Sequence, residues 1–82
     1  MSDKKTNTRE LEHWLAAHVG DLVDIPTKDV DVQARFDRYG IDSAAAVGVT
    51  LDLESHLGRD FSPTLLYEHP TIERLAAHLT QG

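Results

Sequence analysis

Eighty-two residues with fourteen acidic and eight basic side chains, a net charge of −6 and no cysteine set narrow limits. A chain of this size buries only ~60% of its unfolded surface, so it forms one small domain with few layers. The absent thiols exclude disulfide stapling, zinc–thiolate sites and a cysteine nucleophile. The scattered bases argue against phosphate-backbone binding, so no nucleic-acid partner is expected.

The N-terminal Met-Ser-Asp-Lys-Lys-Thr-Asn-Thr has no apolar run behind it and resembles neither a secretory signal nor a membrane anchor. Nothing later approaches the roughly 18 apolar residues of a spanning helix, so no membrane association is expected. The expectation is a cytoplasmic monomer. Residues 1–7 read as a flexible segment, 8–80 as the folded domain and 81–82 as a tail.

From Thr8 the residues Leu11, Trp14, Leu15, His18, Val19 and Leu22 recur at three- and four-residue steps, predicting a helix with one buried face. Thr8 is the expected cap, Gly20 the expected end or loosened turn, and Trp14 a core aromatic. His13 and His18 lie five apart, a poor spacing for a shared metal on one helix face, and read as surface or boundary residues.

Residues 21–42 show no sustained period. A connection that long in a compact domain must be functional or pinned down, and Leu22, Val23, Ile25, Val30, Val32 and Phe36 are the expected pins. Val32 and Phe36 followed by Gly40 suggest a short helical turn that ends near Tyr39 with a left-handed glycine.

The segment from Ser43 to Leu57, closed by Gly58, predicts the central helix. At 100° per residue, Ala46, Val49, Thr50, Leu53 and Leu57 share a sector about 100° wide, a core-facing stripe. Ala44, Val47 and Leu51 fall on a second sector reaching Glu54. A small domain has little core left to cover them, and they read as a docking strip, although three such residues would also suit a wider core. Ser62 as cap and Pro63 at the first helical position predict a short third helix, stopped at His69 by Pro70. Thr71 then caps a last helix with Ile72, Leu75, Ala76 and Leu79 on its apolar face and Glu73 in its first turn. No stretch alternates with period two, so no sheet is expected.

Ser43 opens the central helix. A serine there is commonly a cap, and Asp42 beside it is a competing one. Its hydroxyl also sits where free N–H groups and the helix dipole stabilise an attached phosphate. As a nucleophile it lacks a helper: the five histidines lie on different predicted elements, and His56 is thirteen residues along the same helix, about 20 Å away at the standard rise. Gly40, Gly48 and Gly58 lie eight or ten apart, which is not a phosphate-loop spacing. The carboxylates lack calcium-loop spacing, and no metal site is expected. The residues therefore speak against an enzyme.

Gly40-Ile41-Asp42-Ser43 with Val47, Val49 and Leu53, then Ser62-Pro63-Thr64-Leu65-Leu66-Tyr67-Glu68-His69-Pro70-Thr71-Ile72 and Leu75-Ala76-Ala77-His78-Leu79, closely resemble acyl carrier protein domains of the polyketide synthase type. The resemblance runs without a gap from about residue 36 to 80. It implies an all-α four-helix bundle with a long loop between the first two helices and a short third helix. It further implies 4′-phosphopantetheine attached covalently to Ser43 from coenzyme A by a phosphopantetheinyl transferase, with Asp42 serving transferase recognition. The arm holds acyl or polyketide intermediates as thioesters, in polyketide or fatty acid biosynthesis, and presents them to a ketosynthase, acyltransferase or acyl-activating enzyme.

By the same resemblance, partners dock on Ala44, Val47, Gly48, Leu51 and Glu54. The chain departs from the family in carrying Ala44 where leucine is usual and Gly48 where many members have glutamate. Its second helix offers mainly Asp52 and Glu54 as acids, so docking is expected to be more apolar than for an acidic fatty acid carrier, with Ala44 a shallower knob. Asp42 before the serine favours an acyl carrier over a peptidyl carrier. The Met1 start reads as a discrete carrier acting in trans, with an excised synthase domain as the other possibility. The alternatives are a peptidyl carrier, or a plain helical interaction module with Ser43 as a helix cap.

Overall fold

In the computed structural model, residues 7–80 are described. Four helices follow in the order α1 (Thr8–Val23), α2 (Ser43–Leu57), α3 (Leu65–Glu68) and α4 (Ile72–Thr80), with two 3-10 turns, Thr27–Asp29 and Phe36–Tyr39, inside the α1–α2 loop. The all-α four-helix bundle, its long first loop and its short third helix are as expected. Among the described residues there is no strand; one isolated antiparallel bridge joins Arg35 to Thr71.

The core is built where the apolar periods converge. Leu11, Leu15 and Val19 of α1, Val49 and Leu53 of α2, and Ile72 and Leu75 of α4 are fully buried. Each such side chain contributes about 1.5–3 kcal/mol by leaving water. Thr50 is the buried polar residue of this set, and its hydroxyl donates to the Ala46 carbonyl at 2.9 Å, so it carries no unpaired group into the core.

Four details of α1 correct the sequence reading. Asn7, not Thr8, is the cap: its side-chain oxygen accepts from the Glu10 N–H at 2.8 Å. The Thr8 hydroxyl meets that of Thr80 at 2.6 Å instead. Asn7 thus belongs to the folded domain, whereas residues 1–6 and the 81–82 tail lie outside the described residues. The helix also passes through Gly20 and ends at Asp24, whose φ of 65° gives the left-handed cap. Gly20 is required for close approach, since a Cβ there would stand 2.5 Å from the Ile25 carbonyl oxygen. Leu22 is not a pin, being 49% exposed, because the loop folds back over Gly20 through Ile25 and Val30 and leaves it uncovered. Finally, Trp14 is only partly buried. It lies at the α1–α2 edge, stacked on His18 and His56 with centroids 4.9 and 4.4 Å away.

The long loop is held at several points. Val30 and Phe36 are buried, and Val23, Ile25 and Val32 pack against the core. The Tyr39 hydroxyl accepts from the Asp31 N–H at 2.7 Å and donates to the Asp31 carbonyl at 3.2 Å. Backbone bonds from Phe36 N–H to Pro70 O and from Glu73 N–H to Val32 O tie the loop to the start of α4. Gly40, with φ 78°, closes the second 3-10 turn, as its spacing predicted, and buried Ile41 fixes the chain before Asp42.

The start of α3 also differs from expectation. The Ser62 hydroxyl accepts from the Thr64 N–H, two residues on, and the Ser62 carbonyl accepts from the Leu65 N–H. Ser62, Pro63 and Thr64 therefore form a turn, and the helix begins only at Leu65. It stops at His69, which precedes Pro70, as steric exclusion before proline requires. Thr71 caps α4 by accepting from the Arg74 N–H at 3.1 Å.

Candidate functional site

The Phe36–Tyr39 turn and buried Ile41 deliver the chain to the α2 N-terminus in an extended conformation, with φ −85° and ψ −173° at Asp42. The Asp42 carboxylate accepts from the Ala45 N–H at 2.9 Å. Asp42 is thus the cap, and Ser43 is the first helical residue. Of the two roles open to Ser43, capping is excluded by this geometry: the competing cap occupies that position.

The Ser43 hydroxyl is exposed, and its side-chain partner is the hydroxyl of Tyr67 on α3, 2.7 Å away. None of the five histidines is that partner. His18 pairs with Asp52 at 2.6 Å, His56 stacks on Trp14, and His69 stacks on His78 with centroids 3.9 Å apart. His13 lines a groove between α1 and the end of α2. Protonation of His69 is disfavoured relative to a free imidazole, first by partial burial and then by His78 and Arg74, with Glu68 opposing them. Among the described residues no group of three or more histidines, aspartates and glutamates is placed to hold a metal.

A small cleft opens beneath Tyr67, lined among others by Phe36, Ile41, Ala46, Leu66 and Pro70. Its volume is about 40 Å³, room for about one water molecule and not for an acyl chain. A groove of about 560 Å³ along Arg9, His13, Trp14 and His56 runs between α1 and the end of α2 and does not include Ser43.

Ala44, Val47 and Leu51 are all exposed, Val47 by 38% and Leu51 by 56%, so the second sector of α2 faces solvent instead of widening the core. Gly48 makes a notch among them, with nothing within 4 Å of the position a Cβ would take. Glu54 is half-buried and turned inward, its carboxylate accepting from the Phe61 N–H at 2.8 Å. The acids of the α2 face are therefore engaged within the molecule, Asp52 with His18 and Glu54 with the α2–α3 loop.

The structure brings Asp42, Ser43 and Ala44 together with Tyr67, a residue that the sequence reading passed over. No periodicity could have marked it, because its role depends on α3 packing beside the start of α2. The histidine–tryptophan stack is hidden from the sequence for the same reason.

The sequence profile of the family described as "Phosphopantetheine attachment site" matches residues 13–79. Among curated proteins, the chain is 31% identical over 72 residues to a phenolphthiocerol/phthiocerol polyketide synthase of Mycobacterium tuberculosis, covering 88% of this chain and 4% of that protein. The chain thus spans a small fraction of the length of that relative. Among solved structures, a free-standing peptidyl carrier protein from Acinetobacter baumannii superposes with a TM-score of 0.84 at 30% identity, covering 89% of this chain and 91% of that one. An acyl carrier protein from Anabaena with a variant phosphopantetheinylation-site sequence superposes with a TM-score of 0.85 at 28% identity, covering 98% and 92%.

Proposed function

The chain belongs to the phosphopantetheine-attachment family, as an acyl carrier of the polyketide synthase type that bears covalent 4′-phosphopantetheine, and on that premise we propose that Ser43 is the attachment residue. One observation carries the proposal: the Ser43 hydroxyl stands exposed at the first position of α2, unused by the helix because Asp42 does the capping. The residues fit the group. The Ser43 and Ala44 N–H groups and the positive end of the α2 dipole favour a phosphate on that oxygen, and the exposed surface around it leaves room for an extended arm.

When attached, the arm supplies a thiol that carries acyl groups as thioesters. The chain itself supplies the hydroxyl, the dipole and a docking surface. In the attachment reaction the Ser43 oxygen bonds to phosphorus of coenzyme A, the pyrophosphate P–O bond breaks, adenosine bisphosphate leaves, and the hydroxyl proton passes to a base of the transferase. Asp42 holds the serine backbone rigid for that attack, besides serving transferase recognition.

The partners are a phosphopantetheinyl transferase and catalytic domains such as a ketosynthase, docking on Ala44, Val47, Gly48 and Leu51. The pairing of Asp52 with His18 and of Glu54 with the Phe61 N–H supports apolar recognition and makes Glu54 a brace of the α2–α3 loop. The carrier itself is non-catalytic, and the carrier domain runs from the Asn7 cap through residue 80. A peptidyl cargo, the other reading, has the Acinetobacter neighbour on its side, while Asp42 before the serine favours an acyl one.

Intact mass after incubation with coenzyme A and a promiscuous transferase tests the site. The expected result is one phosphopantetheine increment on the wild type and none on Ser43→Ala; an increment that survives the substitution removes Ser43 from the role. For docking, Val47→Asp and Leu51→Asp are expected to abolish recognition by the transferase while raised salt leaves it largely intact. The opposite pattern refutes the apolar strip.

A further inference from the structure

Tyr67 is 63% exposed, yet its place is fixed from both sides. On α3 its neighbours Leu65 and Leu66 are buried in the core, which sets the direction of the short helix. Across from it, the Asp42 cap and buried Ile41 set the position of Ser43. The 2.7 Å contact between the two hydroxyls therefore joins two exposed side chains whose backbones are set by anchored elements.

Esterification changes what each partner can do. The serine oxygen loses its proton and the phosphate brings anionic oxygens, so of the original pair only the tyrosine can still donate. A bond to an anionic oxygen is charge-assisted and stronger than one between neutral hydroxyls. Arg35, the cation lining the same cleft, is paired with Asp37 at 3.4 Å. The cleft under the ring is too small to take the arm, so an arm whose phosphate meets the Tyr67 hydroxyl starts out over the exposed Tyr67 ring.

We propose that Tyr67 is the positioning residue of the attachment site: its hydroxyl holds the Ser43 oxygen in the unmodified protein and donates to the phosphate in the modified one, directing the arm along α3. This rests on Ser43 being the attachment residue. Tyr67 makes no bond to the reacting thioester and decides only the direction from which partners meet it.

The test uses the full chain loaded with phosphopantetheine, as wild type and as Tyr67→Phe, which keeps the ring and removes the donor. In the wild type, nuclear Overhauser effects are expected between the arm's methylene beside the phosphate and the Tyr67 ring; finding none overturns the proposal without recourse to any variant. In Tyr67→Phe the phosphorus NMR resonance is expected to move beyond its linewidth. The population of arm in contact with α3 is expected to fall about 2- to 10-fold, the loss of one net hydrogen bond. Superimposable spectra from the two loaded proteins overturn the proposal and leave Ser43 as the attachment residue. A wild type that gains no mass, or an increment that survives Ser43→Ala, defeats the attachment reading and this proposal with it.

Discussion

Neighbouring residues at the start of α2 have separable roles, and stability measurements can tell them apart. Asp42→Ala removes the acceptor of the Ala45 N–H and leaves that group to water, a loss of about 1 kcal/mol for a cap. It also removes a negative charge from the positive end of the helix, worth a further ~0.3–1 kcal/mol. Together these give about 1–2 kcal/mol, which for a chain of this size lowers Tm by about 5–15 °C. Ser43→Ala removes a hydroxyl whose side-chain partner is the exposed hydroxyl of Tyr67. Both groups remain accessible to water, so the change is expected to stay within about 0.5 kcal/mol. Urea denaturation followed by far-ultraviolet circular dichroism measures both, with m expected to stay constant. Asp42→Asn keeps the acceptor and loses the charge, and is expected to fall between the two. A Ser43→Ala loss equal to that of Asp42→Ala, or a silent Asp42→Ala, would refute the division of labour in which Asp42 caps and Ser43 is left free.

Two glycines in helices are expected to respond oppositely to alanine. At Gly20 the new Cβ meets the Ile25 carbonyl oxygen at 2.5 Å, backbone that has to shift, and urea midpoints should report a loss of about 1–3 kcal/mol. At Gly48 nothing lies within 4 Å, and the same assay should report a gain of roughly 0.5–1 kcal/mol. Leu53→Ala opens a cavity at a fully buried site and is expected to lose about 2–5 kcal/mol, while mass spectrometry below the unfolding midpoint still shows loading at Ser43. Stability should also depend on His69. Its folded-state pKa lies below the ordinary 6.5 because partial burial, His78 and Arg74 disfavour the cation, so the unfolded chain binds the proton more readily. Its contribution is complete above the ordinary value, falls as the pH drops from there through the folded pKa, and levels off below it. The difference between urea midpoints at about pH 7.5 and about pH 5 should shrink in His69→Gln; an unchanged difference would put the acid sensitivity elsewhere.

The local rules legible in the chain settle the helices and their order. Apolar residues at three- and four-residue steps place α1, α2 and α4, and Gly40 and Gly58 stop their segments in left-handed geometry. Pro70 ends α3, and Thr71 caps α4. Both sectors of α2 are also legible, because angular position on a helix follows from residue number alone. The resemblance of Gly40-Ile41-Asp42-Ser43 and the later proline and threonine motifs to carrier domains supplied the cofactor. These features depend on neighbours in sequence, which is why they can be read without a fold.

Contacts between elements decided the rest. Asn7 rather than Thr8 caps α1, and Asp42 rather than Ser43 caps α2, because in each pair it is the earlier side chain whose oxygen reaches the free N–H three residues on. Leu22 is left uncovered by the path of the loop, and Trp14 is drawn to the edge by two histidines from different helices. Glu54 turns inward because the loop after α2 brings the Phe61 N–H to it. Amino-acid order alone determined that a serine opens a helix beside an apolar strip. Only the packing of α3 against α2 put the Tyr67 hydroxyl 2.7 Å from that serine, because residues 24 positions apart in the chain become neighbours through the burial of Leu65 and Leu66.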